Sequence, residues 1–211
     1  MAITKYLNFK ALVAGAVLFA LWAYATFAGA LVGFDRWGLM LFRTETGTPI
    51  GSEGTPGLVT ALTHLGDTIT LIIVSVALLA WLLSKQAKNL AIYVAAAITG
   101  VFLISPIFKF LFDRERPDIV EQLAHASSKS FPSGHALRSA GIYLILYVVL
   151  ASYLSDKAKG ALFTITSAVI LLTGLSRVYL GVHWPTDIIA SWIIAVSWLF
   201  FCKTALTLRP S

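Results

Sequence analysis

Residues 89–108 read Asn-Leu-Ala-Ile-Tyr-Val-Ala-Ala-Ala-Ile-Thr-Gly-Val-Phe-Leu-Ile-Ser-Pro-Ile-Phe, a run of 20 residues without an acidic or basic side chain. A helix of about 20 apolar residues is long enough to cross the hydrocarbon core of a bilayer. This stretch therefore predicts a membrane-spanning helix, and the rest of the chain repeats the pattern.

Six runs free of Asp, Glu, Lys and Arg follow one another: 11–34, 68–84, 89–108, 139–155, 160–176 and 188–202. Five are 17 to 24 residues long, which suits a spanning helix. The last has only 15, but Val182 and Trp184 extend its apolar character, and Lys203 can reach the headgroups from its other end. The sequence thus predicts an all-α polytopic membrane protein with six transmembrane helices.

The composition supports one integral-membrane domain over residues 1–211. Hydrophobic residues make up 58% of the chain and charged residues 12%, whereas soluble domains carry roughly 25% charged residues. A soluble bundle is excluded because six such runs leave too little polar surface. The net charge of +6 does not indicate nucleic-acid binding in this setting, and the single cysteine, Cys202, cannot form an intrachain disulfide.

The first run has one alternative interpretation, a cleaved signal peptide. Lys5 and Lys10 resemble its basic start, and residues 28–30, Ala-Gly-Ala, resemble a cleavage site. The apolar stretch exceeds the roughly 7 to 15 residues of a signal peptide, so we expect it to be retained as a span.

Charge predicts the orientation. With six spans, one side holds both termini and two short lysine-bearing loops, with eight basic residues and one acid. The other side holds eight basic residues and nine acids. Lys and Arg counts are equal, so the positive-inside rule does not decide. On the second side the basic residues gather in three polar segments. We therefore expect cytoplasmic termini and extracytoplasmic polar segments.

The first of the polar segments, 35–66, is rich in Gly, Thr and Pro. It predicts a loop with one short helix, which would form either a rim or lid over a site or a plain connector.

Residues 109–117, Lys-Phe-Leu-Phe-Asp-Arg-Glu-Arg-Pro, are the first of three polar clusters. Lys109 and Arg116 are seven residues apart, so both project from one face if the helix persists. Pro117 disfavours helix at the preceding residue and predicts a bend there. The alternative is a cationic helix end that reaches the headgroups, with Asp113 and Glu115 as salt partners.

The second cluster is residues 131–135, Phe-Pro-Ser-Gly-His. Ser133 is a good helix N-cap, and Gly134 lets the backbone approach a ligand. The start of the following helix would offer free N–H groups to an anion, with His135 beside it. A simple capped turn is the alternative.

The third cluster covers residues 176–187, from Ser176 and Arg177 to His183 and Asp187. A carboxylate four residues from an imidazole can reach it on one helical face, and such a pair makes the far ring nitrogen a better nucleophile. A structural pair is the alternative. For His64 with Asp67, and for His125, we prefer roles in loop structure, with substrate contact as the alternative.

Together the clusters closely resemble the signature of the type 2 phosphatidic acid phosphatase superfamily, Lys-x6-Arg-Pro, then Pro-Ser-Gly-His, then Ser-Arg-x5-His-x3-Asp. Every signature position matches: Lys109, Arg116, Pro117, Pro132, Ser133, Gly134, His135, Ser176, Arg177, His183 and Asp187. These motifs fall within 109–187, and the six-helix pattern extends the resemblance over nearly the whole chain.

The resemblance implies roles for eight of the matched residues. His183 would attack phosphorus and form a phosphohistidine, with Asp187 holding its other nitrogen. His135 would protonate the leaving oxygen and then activate water. The phosphoryl oxygens would be held by Lys109, Arg116, Arg177, the Ser133 hydroxyl and the Gly134 N–H. No cofactor or metal is expected, and Asp113, Glu115 and Asp118 would orient Arg114, Arg116 or Lys129.

A phosphate site at the ends of spanning helices suits a membrane lipid phosphate. The resemblance includes bacterial undecaprenyl diphosphate phosphatases, phosphatidylglycerophosphate phosphatases and lipid A phosphatases. The first expectation is hydrolysis of undecaprenyl diphosphate on the periplasmic face of a bacterial plasma membrane. Phosphatidylglycerophosphate or phosphatidate hydrolysis and lipid-to-lipid phosphotransfer are the alternatives. A transporter is disfavoured, because no run has an ionisable residue in its middle.

Overall fold

The computed structural model describes the backbone of residues 2–206 and the side chains of residues 10–202. Within these ranges the chain forms helices and loops, with an isolated bridge between Arg43 and Pro49 and no strand. The α-helices are α1 Ala2–Phe27, α2 Val32–Met40, α3 Thr55–Thr63, α4 Thr68–Ser84, α5 Lys88–Leu111, α6 Gly134–Ala151, α7 Asp156–Tyr179 and α8 Pro185–Leu206. A 3-10 turn, His64–Gly66, joins α3 to α4. Lys5, Lys203 and Arg209 are three of the eight basic residues counted on the side of the chain termini. Their side chains lie outside the described range.

The helices confirm an integral membrane protein. Five of them, α1, α5, α6, α7 and α8, are long and apolar enough to cross a bilayer. A further candidate span consists of Thr55–Gly66 and Thr68–Ser84, which meet at an angle of 43°. Large apolar side chains face outward along these helices, among them Ile69, Ile73, Ile92 and Phe110, which are 63% to 89% exposed. In water such a surface would be an interaction or aggregation site, whereas lipid tails solvate it.

Most of the predicted runs differ from the helices at their ends, and two of them show why. The run 11–34 is divided, because α1 ends at Phe27 and α2 begins at Val32. Gly29 has φ +79°, and the N–H groups of Gly29 and Ala30 return to the carbonyls of Thr26 and Ala25, which closes the helix end. The short run 188–202 is completed by its flanks, since α8 has 22 residues.

The centre of the molecule is formed by α6, which packs against α5, α7 and α8, while α1 packs on α8. Leu137, Ile142 and Ile145 of α6 are fully or almost fully buried. At Gly141 a β-carbon would lie 2.7 Å from a side-chain atom of Val101, so only glycine lets α5 and α6 approach this closely. This packing fixes the start of α6 beside the end of α5.

The segment 35–66 forms α2 and α3 rather than one short helix. It is fastened to the end of α7, because Arg43 donates to the Tyr179 carbonyl (2.9 Å) and the Tyr179 hydroxyl donates to the Ile50 carbonyl (2.8 Å). The Arg177 guanidinium also donates to the Thr63 hydroxyl (3.1 Å). The segment therefore packs around the end of α7 and holds it in place through these hydrogen bonds.

Candidate active site

The three polar clusters meet around one cavity of about 340 Å³, formed where α5 and α7 end and α6 begins. Three histidines and four cationic side chains line it: His125, His135, His183, Lys109, Arg116, Arg138 and Arg177. Gly134 and Ser128 contribute to the same wall. A larger apolar cavity of about 490 Å³ lies between α1 and α8, but its lining includes no ionisable residue and offers no chemistry.

The turn after α7 places Arg177 and His183 at the same cavity. Gly181 has φ +71°, a conformation that glycine adopts without strain. The Gly181 N–H donates to the Val178 carbonyl (3.0 Å) and the Val182 N–H to the Arg177 carbonyl (3.2 Å), the two bonds of a Schellman motif. The chain therefore reverses directly after the helix, which returns His183 toward Arg177.

His183 and Asp187 make the predicted contact, with 3.3 Å between Nδ1 of the ring and Oδ2 of the carboxylate. The geometric reason given above is wrong, because His183 precedes α8 and does not share a helical face with Asp187. Nε2 of His183 lies 3.2 Å from an Arg116 nitrogen, which can only donate. The proton of the neutral ring therefore sits on Nδ1, facing Asp187, and Nε2 keeps the lone pair needed for attack.

Asp187 is held by more groups than the histidine. Its Oδ2 accepts from the Ser130 hydroxyl (2.5 Å) and from the Trp184 N–H (2.9 Å), and its Oδ1 accepts from Arg114 (2.5 Å). The bond from Trp184 is the reach-back half of a capping box at the start of α8. These donors keep the carboxylate ionised and aimed at His183.

Arg114 was predicted only as a possible partner of the neighbouring acids, yet it joins two buried carboxylates. It donates to Asp187 Oδ1 and, at 2.6 Å, to Asp35 Oδ2. Asp35 also accepts from the Thr186 N–H (2.9 Å) and hydroxyl (2.8 Å). Burial raises the pKa of Asp35, while Thr186 and Arg114 oppose that shift. The network ties α2 to the start of α8 beside Asp187, the partner of His183.

Burial sets the charge state of His183. The ring is 2% exposed, and the loss of hydration lowers its pKa to about 3. Arg116 and Arg177 act in the same direction, and Asp187 opposes them. His183 is therefore neutral at physiological pH, the state in which an imidazole is a nucleophile.

Lys109 and Arg116 both line the cavity, but they do not project from one helical face as predicted. α5 ends at Leu111, so Arg116 lies in the loop and does not share a helical face with Lys109. Both side chains converge on Ser128, whose hydroxyl accepts from the Lys109 ammonium (3.0 Å) and whose carbonyl accepts from Arg116 Nε (2.8 Å). The 125–130 loop thus organises the first motif.

The second motif forms the predicted helix start. Ser133 is the N-cap of α6, and its hydroxyl accepts from the Ala136 N–H (3.4 Å). The Ser191 hydroxyl donates to the Ser133 carbonyl (3.0 Å) and the Asp187 carbonyl (2.6 Å), which ties the starts of α6 and α8 together. Gly134 lines the cavity, whereas Ser133 is not among its lining residues. A phosphoryl contact by the Ser133 hydroxyl stays a prediction.

The remaining polar residues differ in part from their predicted roles. His64 and Asp67 form the expected loop contact (2.5 Å), but Asp67 also bonds His135 (2.7 Å). His125 lines the cavity, which favours its alternative role of substrate contact. Asp113 and Glu115 both pair with Lys129, one of their three predicted partners. Arg138, which the motifs do not include, lines the cavity one turn after His135.

The cavity is suited to an anion. The Nε atoms of Arg138 and Arg177 are buried and have no hydrogen-bond partner in the protein. Both guanidinium groups belong to residues that line the cavity, and guanidinium groups bind phosphoryl oxygens through charge-assisted hydrogen bonds. Among the described residues, no group of three or more His, Cys, Asp or Glu side chains is placed to hold a metal ion. The expectation of a reaction without a metal stays a prediction.

Comparison with known proteins identifies relatives over most of the chain. Residues 89–210 match the sequence profile of the PAP2 superfamily. Phosphatidylglycerophosphatase B of Bacillus subtilis is 36% identical over 103 residues, 48% of this chain and 50% of that protein. Undecaprenyl-diphosphatase BcrC of the same organism is 30% identical over 139 residues, 62% of this chain and 66% of that protein. The first of these matches therefore spans about half of the relative's length.

The similarity in structure covers more of the chain. The crystal structure of a transmembrane PAP2-type phosphatidylglycerolphosphate phosphatase from Bacillus subtilis superimposes with a TM-score of 0.81 and 27% identity, over 92% of this chain and 94% of that one. The profile match covers more than half of the chain and includes all three motifs, and the fold agrees. The chain therefore belongs to the PAP2 superfamily.

Proposed function

We propose that this protein hydrolyses the terminal phosphate of a membrane lipid phosphate or diphosphate through a phosphohistidine on His183, with undecaprenyl diphosphate as the first candidate substrate. One observation carries the proposal: a buried, neutral histidine with its carboxylate partner shares a cavity with a second histidine and four cations. The names of the PAP2 relatives, phosphatidylglycerophosphatase and undecaprenyl-diphosphatase, support the same chemistry.

In the first step Nε2 of His183 attacks the terminal phosphorus. The N–P bond forms as the P–O bond to the leaving group breaks, and His135 gives a proton to the departing oxygen. Lys109, Arg116 and Arg177 neutralise the charge on the phosphoryl oxygens. Asp187 stabilises the positive charge that the attack places on the His183 ring.

In the second step water replaces the histidine. His135, now neutral, takes a proton from water as the water oxygen attacks phosphorus and the N–P bond breaks. Inorganic phosphate leaves, His183 recovers its lone pair, and His135 regains the proton it gave up. A phosphotransferase would use the same intermediate with a lipid acceptor in place of water, and product analysis with and without an acceptor separates the two.

The position and charge of the cavity favour a lipid substrate. Its wall combines the cations with Phe102 and Pro106 of α5, so a phosphate can bind while an attached chain stays beside the helices. Arg138 is a cation beyond the three in the signature, which suits the extra negative charge of a diphosphate. Phosphatidylglycerophosphate is the second candidate substrate, favoured by the TM-score of 0.81 to a phosphatase of that lipid.

For the membrane arrangement we propose six spans with both termini cytoplasmic and the cavity at the extracytoplasmic face of a bacterial plasma membrane. The bent pair of α3 with its 3-10 turn and α4 supplies the sixth crossing. Lys85 directly follows α4, Lys88 begins α5, and Lys157 and Lys159 lie in the first turn of α7, all at the helix ends opposite the cavity. Six crossings place both chain ends on that lysine-bearing side.

Purified protein in detergent with a chelator tests the proposal. It is expected to release phosphate from undecaprenyl diphosphate, phosphatidylglycerophosphate or phosphatidate, and side-by-side rates rank these substrates. His183→Ala should release none, while Asp156→Asn, an exposed change at the far end of α7, should match the wild type. Equal release by His183→Ala, or a strict need for added magnesium, would contradict the proposed mechanism.

A further inference from the structure

The Asp67 carboxylate lies between two histidines, at the junction of the 3-10 turn and α4. Its Oδ1 is 2.7 Å from Nε2 of His135, and its Oδ2 is 2.5 Å from Nδ1 of His64. His135 belongs to the motif at the start of α6, 68 residues further along the chain. His64 is a surface residue whose side chain is 62% exposed. Asp67 thus connects the cavity wall to the protein surface.

The position of Asp67 would normally favour a different bond. Asp67 is the N-cap of α4, with φ −67° and ψ 148°, where an aspartate usually accepts from a free backbone N–H and stabilises the helix. No such side-chain cap bond forms here. Both carboxylate oxygens are used on the histidines, so the local stability of α4 is not what this side chain serves.

The turn that carries Asp67 is fixed against α6 and α7. The Tyr143 hydroxyl of α6 donates to the Leu65 carbonyl (2.9 Å). A β-carbon on Gly66 would lie 2.5 Å from the Thr173 side chain of α7 and 3.3 Å from the β-carbon of His135. Because the turn is this closely packed on both helices, the distance from Asp67 to the His135 ring is set by the fold.

The charges around His135 explain what a carboxylate does there. Burial disfavours a charge on the ring, and two guanidinium groups act in the same direction, Arg177 from α7 and Arg138 from the same helix as His135. Both repel a proton on the imidazole, whereas Asp67 attracts one. A histidine that must carry a proton to a leaving group, in a cavity built of cations, therefore needs a carboxylate partner.

We propose that Asp67 is a positioning residue for catalysis, which holds the His135 ring through Nε2 and stabilises its protonated form. Nδ1 then gives its proton to the leaving oxygen: the N–H bond breaks as the O–H bond forms, and the P–O bond electrons go to that oxygen. The inference rests on the proposed function, in which His135 is the general acid. Each catalytic histidine then has its own carboxylate, Asp187 for His183 and Asp67 for His135.

The test compares two leaving groups in Asp67→Asn. Phosphatidate loses a basic alcohol oxygen that needs a proton, whereas p-nitrophenyl phosphate loses a stable phenolate that does not. Since general acid catalysis contributes about 10²- to 10⁴-fold, Asp67→Asn should slow release of the leaving group in the first turnover, before the shared phosphohistidine is hydrolysed. The expected loss is about 10²-fold for phosphatidate and less than about threefold for p-nitrophenyl phosphate. His135→Ala should show the same selectivity between the two substrates in the first step. A double variant that combines His135→Ala with Asp67→Asn should be little slower than His135→Ala alone.

The controls separate the possible failures. Asp156→Asn, the same chemical change at an exposed site, should leave both rates at the wild-type value. If Asp67→Asn does not fold, Asp67→Glu retains the carboxylate and should show a smaller loss with the same selectivity. Equal losses on both substrates, or no loss on either, would overturn the inference and leave the phosphatase proposal intact. A wild-type protein that hydrolyses neither substrate would overturn both.

Discussion

At the scale of single residues, Arg114 joins the catalytic centre to the rest of the fold. Its guanidinium pairs with Asp35 and Asp187, whose side chains are 3% and 0% exposed. Removing one partner of a buried ion pair leaves an uncompensated charge, which costs about 3–5 kcal/mol. Arg114→Gln is therefore expected to lower the free energy of unfolding by that amount, as measured by denaturation in detergent.

The matched control for Arg114 is Lys129→Gln. Lys129 also pairs with two acids, Asp113 and Glu115, but both of those are exposed, and water replaces the lost partner. The free energy of unfolding of Lys129→Gln should therefore stay close to that of the wild type. A similar loss in the two variants would show that burial of the Arg114 network is not what stabilises this region.

Arg138 is expected to distinguish diphosphates from monophosphates. Arg116 and Arg177 act on His183, whereas Arg138 acts, with Arg177, on His135, which the proposed mechanism places beside the leaving group. The leaving group of a lipid diphosphate is itself a charged phosphate. Since a hydrogen bond to a charged group contributes about 1.5–3 kcal/mol, Arg138→Gln should lower kcat/KM on undecaprenyl diphosphate by about 10- to 100-fold.

Phosphatidate, whose leaving group is an uncharged diacylglycerol, should lose less than about threefold in the same variant. Arg138→Lys keeps the positive charge and should recover part of the diphosphate activity. Steady-state rates on both lipids decide the question. Equal losses would mean that Arg138 binds the terminal phosphate, as the other cations do.

The sequence predicted the motif residues of the site but not the residues that hold them. The motifs are recognisable because their spacing is local, as for His183 and Asp187. Arg114, Ser130 and Asp67 act on partners 73, 57 and 68 residues away, through contacts that only the packed helices create. No periodicity or spacing along the chain could indicate these contacts.

At the scale of helices, the crossing of α5 and α6 depends on Gly141. A β-carbon there would lie 2.7 and 2.9 Å from the two methyl groups of Val101, which is fully buried. Overpacking of this kind typically costs about 1–3 kcal/mol, so Gly141→Ala should lower the thermal midpoint in detergent.

Gly160 provides the comparison, because a β-carbon there meets nothing within 4 Å. In this helical position Ala is favoured over Gly by roughly 0.5–1 kcal/mol, so Gly160→Ala should raise the midpoint slightly or leave it unchanged. If Gly141→Ala were equally harmless, the close approach of α5 and α6 would not be required for the fold.

The apolar runs located the long helices, although not their ends. The run 139–155 begins after Arg138, whereas α6 begins at Gly134. Arg138 ends the uncharged run, but it lies within α6, where the helix faces the cavity. The break after α1 depends on a turn at Gly29, a residue that also occurs within helices. The helices begin and end at caps and turns on the cavity side. The length of an apolar run does not predict these positions.

At the scale of the whole molecule, the proposed topology predicts which surfaces are accessible from outside the cell. In a Cys202→Ser background, a cysteine at the exposed position 118, in the cavity-side loop, should react with a membrane-impermeant maleimide in intact cells. A cysteine at the exposed position 157, at the other end of the helices, should react only after permeabilisation. The reverse pattern would place the cavity on the cytoplasmic side.

The central claim is that His183 carries the phosphoryl group between substrate and water. The direct measurement is rapid quenching in alkaline denaturant during turnover of a lipid diphosphate labelled in its terminal phosphate, followed by peptide mapping. Label stable to alkali and labile to acid should appear on the peptide that contains His183 and be absent from His183→Gln. Turnover without labelled protein at any quench time, or label on another residue, would contradict the account.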